Sequence, residues 1–181
     1  MRRDLISSVI AIVVVTVAFG LVYPLATTGV AQVLFPDKAD GDVSLIGRDF
    51  SGRPGWFQSR PSATDYSASV TYFNNLGPNS QELSELFEEN KALYERREQL
   101  RPGEEVPVDA VTTSASGVDP HISEANARIQ ARRVAEQRGL PLERVLELVE
   151  ENTDGRFLGV LGEPGVNVRD LNGALDREGS R

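Results

Sequence analysis

The chain has 181 residues, with 27 Asp and Glu against 19 Lys and Arg, a single His and no Cys. A net charge of −8 argues against nucleic acid or an anionic membrane surface as partner, and the missing cysteines leave no disulfide framework or thiolate metal site. The charge is unevenly spread: residues 5–36 carry none, while residues 37–181 carry 17 basic and 26 acidic side chains.

The uncharged run is rich in Val, Ile, Leu and Ala. Roughly 20 apolar residues in a helix cross a hydrocarbon core about 30 Å thick. Leu5 to Tyr23 meets that length, and Pro24, which lacks an N–H and crowds the carbonyl of Gly20, predicts a kink. Leu25 to Phe35 then continues as an interfacial segment, with Tyr23 and Phe35 suited to the headgroup zone. A cleaved signal peptide is the alternative, with Gly29-Val30-Ala31 as its cleavage site. The apolar stretch exceeds the 7–15 residues or so of a signal core, which favours a retained anchor. Ser7/Ala11 and Thr16/Gly20 form small-x-x-x-small pairs, a spacing that lets helices approach closely in lipid. Arg2 and Arg3 precede the span, and Asp37, Lys38, Asp40 and Asp42 follow it. The positive-inside bias therefore predicts a cytoplasmic N-terminus and an extracytoplasmic domain.

Beyond the anchor, residues 37–181 suffice for one domain with its own core. Val43–Phe50 and Trp56–Arg60 are strand candidates, separated by the turn Ser51–Gly55. Pro61–Pro78 is a long loop. Asn79 and Glu82 form a capping box for a helix carrying Leu83, Leu86, Phe87, Leu93, Tyr94 and Leu100, which ends at Pro102-Gly103. Its acidic residues Glu85, Glu88, Glu89, Glu95 and Glu98 are expected on a solvated face. Val106–Val111 is expected as a strand. Ser123 should start a helix stopped by Gly139, and Leu142–Asn152 a second, with Leu142, Val145, Leu146 and Val149 on one face. A turn at Asn152–Gly155, short strands at Phe157–Leu161 and Val166–Val168, and a helical turn at Leu171–Leu175 complete the order. The expected class is α+β: a transmembrane anchor over 1–36 and one mixed α/β extracytoplasmic domain over 37–181.

Catalytic signals are sparse. His121 is the lone histidine, so it supplies no metal cluster. Ser114 and Ser116 lie near it, but Ser114-Ala115-Ser116-Gly117 is not a nucleophile elbow. Neither the Walker nor the dinucleotide glycine pattern occurs. The Gly/Ser-rich stretch Thr112–Ser123 opens a helix, and its N–H groups offer either an anion site or a plain connection. These residues leave three readings open: a transporter subunit, a membrane-anchored periplasmic hydrolase using Ser116 and His121, and an anchored binding module.

Several strings decide among them: Tyr23–Thr28, Trp56-Phe57-Gln58-Ser59-Arg60-Pro61-Ser62-Ala63-Thr64, Asn75–Pro78, Val111–Ser123, Arg133-Val134-Ala135, Leu161–Val168 and Leu171-Asn172. In this order and combination the chain resembles, over nearly its whole length, the C subunit (KdpC) of the bacterial Kdp potassium-transporting ATPase. The resemblance implies a non-catalytic, single-span subunit of an inner-membrane pump that carries potassium. Its partners would be a channel-like potassium-binding subunit, a P-type ATPase subunit and a small single-span subunit. It also implies a catalytic-chaperone role that raises ATP affinity, with Ser114, Ser116, Gly117 and Gln130 as the positions for nucleotide contact. No metal or cofactor of the chain's own is implied. Two positions depart from the family pattern: Arg132 replaces a proline, and Tyr72-Phe73-Asn74 replaces Gly-Gly-Ser. An extracytoplasmic domain conflicts with direct contact to ATP, which favours an indirect effect.

Overall fold

The computed structural model describes residues 2–35, 45–70, 75–101 and 103–179. The chain divides into two compact units, Met1–Val43 and Ser44–Arg181. In the first, one apolar helix, α1 (Arg2–Leu34), is long enough to cross a membrane. Pro24 does not break it. Residues Ala18–Val22 widen into a π-helix in which the Tyr23 N–H reaches the Ala18 carbonyl. A proline cannot donate to the carbonyl four residues back, and one wider turn absorbs that mismatch. Thr27 then turns its hydroxyl onto the carbonyls of Tyr23 and Pro24, at 2.9 and 3.0 Å, so the apolar stretch leaves few polar groups bare. The structure places a π-helical turn just before Pro24, where the kink is expected, and keeps the helix going to Leu34.

The second unit holds α2 (Gln81–Glu98), α3 (Val108–Val111), β1 (His121–Ile122), α4 (Glu124–Arg138), α5 (Leu142–Glu151), β2 (Thr153–Asp154), β3 (Gly165–Asn167) and α6 (Val168–Gly179). Its class is α+β. The strands form an antiparallel sheet of order β1-β3-β2, with Ile122 and Thr153 both opposite Val166. α4 packs on α5, and α5 on α6. The face of α4 turned to the core carries small side chains, Ala127, Ala131 and Val134, at helical spacing. Against them lie Val145, Leu148 and Val149 from α5 and Leu171, Ala174 and Leu175 from α6. Phe57, Ile122 and Val166 fill the remaining space.

The helix signals hold where capping chemistry marks them. Ser123 Oγ accepts from the Asn126 N–H at 3.1 Å, and Gly139 ends α4 in the left-handed region at φ 65°. Around α2 the cap lies one residue later than expected. Ser80, not Asn79, accepts from the Leu83 N–H, which takes Glu82 out of the box position. The helix closes at Gln99, in the left-handed region, before Pro102-Gly103. On α5, Leu148 joins Val145 and Val149 inside, whereas Leu142 is exposed.

The strand expectations fare worse. Residues 45–50 join no sheet; Gly47 meets the 118–119 backbone through one hydrogen bond, Gly47 N–H to the Val118 carbonyl at 2.7 Å. Val108–Val111 is a helical turn behind Pro107 rather than part of a strand. The expected turn at Asn152–Gly155 contains β2, and Phe157–Leu161 is a tight excursion closed by a single bridge, its apolar side chains exposed. Leu171–Leu175 lies within a full helix.

Trp56–Arg60 also lacks a strand neighbour, and side chains supply the missing partners. Asn172 Oδ1 accepts from the Phe57 N–H at 2.8 Å, and its Nδ2 donates to the Phe57 carbonyl at 2.9 Å. Gln130 repeats the arrangement on Gln58, at 2.7 and 3.1 Å. Phe57 is fully buried, so losing the amide strands two backbone groups away from water. We expect Asn172→Leu to cost about 2–5 kcal/mol in urea unfolding of the full chain in neutral detergent. A loss below about 0.5 kcal/mol, the range of a neutral surface change, would rule the clamp out as a stabilising device.

Candidate functional site

The backbone from Pro54 to Gln58 is the centre on which α4 and α6 converge. Each carbonyl in this run accepts from a side chain. Pro54 and Trp56 receive Arg133 Nη1, Gly55 receives Arg138 Nε, and Phe57 and Gln58 receive the two amides. Trp56 lies against Phe50, ring centroids 5.4 Å apart, with the guanidinium of Arg53 over its ring at 4.6 Å and that of Arg138 at 5.6 Å. Arg133 also pairs with Glu98 Oε2 at 3.0 Å, and Arg97 takes the other oxygen at 2.6 Å. Glu98, expected on a solvated face, is therefore buried and paired.

Behind this centre runs a line of buried polar groups. Gln130 Nε2 also donates to Asn126 Oδ1, which accepts from the Tyr94 hydroxyl as well, and Asn126 Nδ2 reaches Asp109. Burial, with Glu98 nearby, pushes the Tyr94 phenol well above its usual range. Asp109 also accepts from the Ser123 N–H and hydroxyl, at 2.9 and 2.7 Å. The N-terminus of α4, where an anion was one expectation, thus already holds a carboxylate of the chain itself.

Two of the informative strings meet in space. Arg60 donates to Asp119 at 3.2 Å and to Thr112 Oγ1 at 3.2 Å. The Ser114 N–H donates to the Pro61 carbonyl, and the Ser62 hydroxyl to the Gly117 carbonyl at 2.6 Å. Gly117 has φ 72°, and a Cβ there would lie 2.3 Å from Thr64 Oγ1, so both backbone sign and space require glycine. Tyr66 donates to the Arg60 carbonyl at 2.6 Å; burial first, then Asp49, pushes its pKa to about 12.

The residues carried by the resemblance fall in different settings. Ser114 is buried against Pro61, Ser116 is exposed with its hydroxyl accepting from the Val118 N–H, and Gly117 is locked under Thr64. Gln130 is 1% exposed, with both amide atoms engaged. The residue that departs from the family pattern, Arg132, forks onto Glu104 at 2.7 and 2.9 Å, which holds that carboxyl down to about 2. The other departure, Tyr72–Asn74, lies outside the described residues. Among the described residues no cluster of metal-ligating side chains occurs.

His121 sits in β1. Its Nε2 is 2.9 Å from Asp154 and its Nδ1 is 3.6 Å from Asp119, so two carboxylates face the ring and no hydrogen bond to Ser116 is made among the described residues. The serine–histidine pair needed for a hydrolase is therefore not assembled. The Asp119 carboxylate beside the ring, opposed by burial and helped by the closer but more solvated Asp154, raises the His121 pKa. Burial pushes Asp119 up, but the neighbouring His121, through its ring and its N–H at 3.0 Å, and the charge of Arg60 outweigh this and hold it low. Because folding raises the His121 pKa, its stabilisation is complete below about pH 6.5, the unperturbed value, and is lost as pH rises through the folded pKa. We expect the melting temperature of the full chain to fall across that window and His121→Gln to flatten the fall. A variant profile parallel to wild type would remove the imidazolium from the account.

Among the described residues one apolar helix of membrane-spanning length is joined to a small α+β domain whose distant strings brace one another, which defines the class of a small domain on a candidate membrane anchor. A profile described as "KdpC: K+-transporting ATPase, c chain" matches residues 5–177. The chain is 44% identical to the potassium-transporting ATPase KdpC subunit of Koribacter versatilis, covering 100% of this chain and 97% of the relative. Identity is 48% to that of Myxococcus xanthus, over 91% and 83% of the two chains, and 43% to that of Cereibacter sphaeroides, over 98% and 97%. The chain belongs to the KdpC family.

Proposed function

We propose that this chain is a non-catalytic subunit of an ATP-driven potassium uptake complex. It would be anchored once in the bacterial inner membrane, with its N-terminus in the cytoplasm and its α+β domain outside. The observation that carries this reading is the family match over residues 5–177, which joins span and domain in one chain. The relatives are named as subunits of a potassium-transporting ATPase, which supports a complex containing the channel-like, P-type and small single-span partners. The flanking charges support the orientation. In that placement Ser7, Ala11, Thr16 and Gly20 offer the close-packing faces toward partner helices.

The chaperone effect on ATP use then acts through assembly rather than contact. Gln130 spends its amide on the Gln58 backbone and on Asn126, and contact with a nucleotide would require releasing both. Ser114 and Gly117 serve as the seat of the Arg60–Thr64 segment.

Two experiments test this. The chain has no cysteine, so a single one placed at the exposed Glu150 reports topology cleanly. We expect an impermeant maleimide to label Glu150→Cys in intact spheroplasts; labelling only after lysis would invert the orientation. In the purified complex, Gln130→Ala and Asn172→Ala should raise the KM for ATP in parallel with their loss of domain stability, because both remove a clamp. A KM change confined to Gln130→Ala, with the melting temperature unaltered, would establish direct contact instead.

A further inference from the structure

Between the C-terminal end of α2, the turn at Ser51–Pro54 and the middle of α4 lies a cleft of about 580 Å³. Five arginines line it, Arg53, Arg97, Arg101, Arg132 and Arg133, against two carboxylates, Glu98 and Glu136. This is a strong local excess of positive charge in a domain that is otherwise acidic. Part of that excess has an internal explanation. Glu98 divides its oxygens between Arg97 and Arg133, and Arg132 is held by Glu104. Arg97 also suits the negative end of the α2 dipole.

Arg53 and Arg101 are less fully accounted for, although the charge of Arg101 helps to hold the Glu104 carboxylate low. Among the described residues the Arg53 guanidinium rests on the face of Trp56, and that of Arg101 has no hydrogen bond or ion pair. Each comes from a different loop, and both border the same cleft. Guanidinium groups present planar donor forks that match the oxygens of a phosphate, and convergence from separate elements fits a multiply charged anion better than a lone carboxylate. The net negative domain repels anions at a distance, so retention must come from these short contacts rather than from long-range steering.

We propose that this cleft binds a phosphate group, with Arg53 and Arg101 as its donors and the Arg97–Glu98–Arg133 cluster as its rigid floor. The phosphate can belong to a soluble phosphate compound or to an anionic lipid headgroup. The assignment goes beyond the function proposed above and uses neither the orientation nor the pump.

The single tryptophan is a built-in reporter, because Arg53 lies over its ring. The full chain in a phosphate-free maltoside detergent would be titrated with pyrophosphate in one arm and monomeric dihexanoyl phosphatidylglycerol in the other. Trp56 emission and the 31P linewidth of the probe are the readouts. We expect saturable binding in at least one arm, and the arm that responds identifies the source of the phosphate. Arg101→Gln should weaken binding roughly tenfold, the scale of one charge-assisted hydrogen bond. Arg156→Gln, outside the cleft, should leave it unchanged. If Arg101→Gln alters the melting curve, Arg53→Gln read by 31P linewidth takes its place. No saturation in either arm, equal affinity in the cleft variants, or equal binding of glutamate would overturn the proposal.

Discussion

The buried carboxamides of Gln130 and Asn172 take the place that a neighbouring strand would hold for residues 56–58. Each amide presents a donor and an acceptor side by side and so satisfies both backbone groups of one residue. The geometry anchors Phe57 in the core and fixes Trp56 at its edge. It also joins α4 to α6 through a segment that belongs to neither. Arg133 and Arg138 extend the same device to Pro54, Gly55 and Trp56, and Arg133 depends in turn on Glu98 at the end of α2. Four parts of the domain are therefore tied by polar groups at fixed geometry, around a core whose α4 face is mostly alanine and valine. A core that small in side-chain volume gains from such specific ties, because half-satisfied polar groups would cost more than apolar filling returns.

The second brace is the seat of Arg60–Thr64 on Ser114–Asp119. It consists of a salt bridge, backbone contacts and a glycine with no room for a Cβ. It explains why these two strings, far apart in sequence, occur together: they are two sides of one contact. Where the chain departs from the family pattern, at Arg132, it adds a bidentate pair with Glu104 instead of leaving a new cation unpaired.

What could be read from the sequence follows from the range of the interactions. The apolar span, the helix from Ser123 to Gly139 and the helix from Leu142 were legible because their periodicity and caps are local. The sheet was not: strands of two and three residues are too short to display alternation, so Val166 was found while β1 and β2 were missed. Val106–Val111 carries the β-branched composition of a strand, yet Pro107 and the partnering of Asp109 with Ser123 make it a helical turn. Glu98 looked like one more surface acid because Arg133, the partner that draws it inside, lies 35 residues away. The amide clamps were equally hidden; Asn172 stood only within a string that carries the resemblance, and Gln130 only as a position the resemblance offers for nucleotide contact. Their partners, 72 and 115 residues off, leave no periodic trace.

The π-helical turn at Ala18–Val22 has a consequence for how the anchor meets its neighbours. One extra residue in a helix shifts the phase of everything after it by about 100°. Any stripe drawn on an unbroken helical wheel through residues 2–34 is therefore out of register beyond Val22. On a straight wheel Thr27 and Ala31 stand about 200° round from Ser7 and Ala11, whereas the wider turn sets the two pairs about 100° apart. The segments before and after the turn, Arg2–Val17 and Tyr23–Leu34, are therefore offset in phase, and a partner helix that matches one face of the first does not follow the same face onto the second.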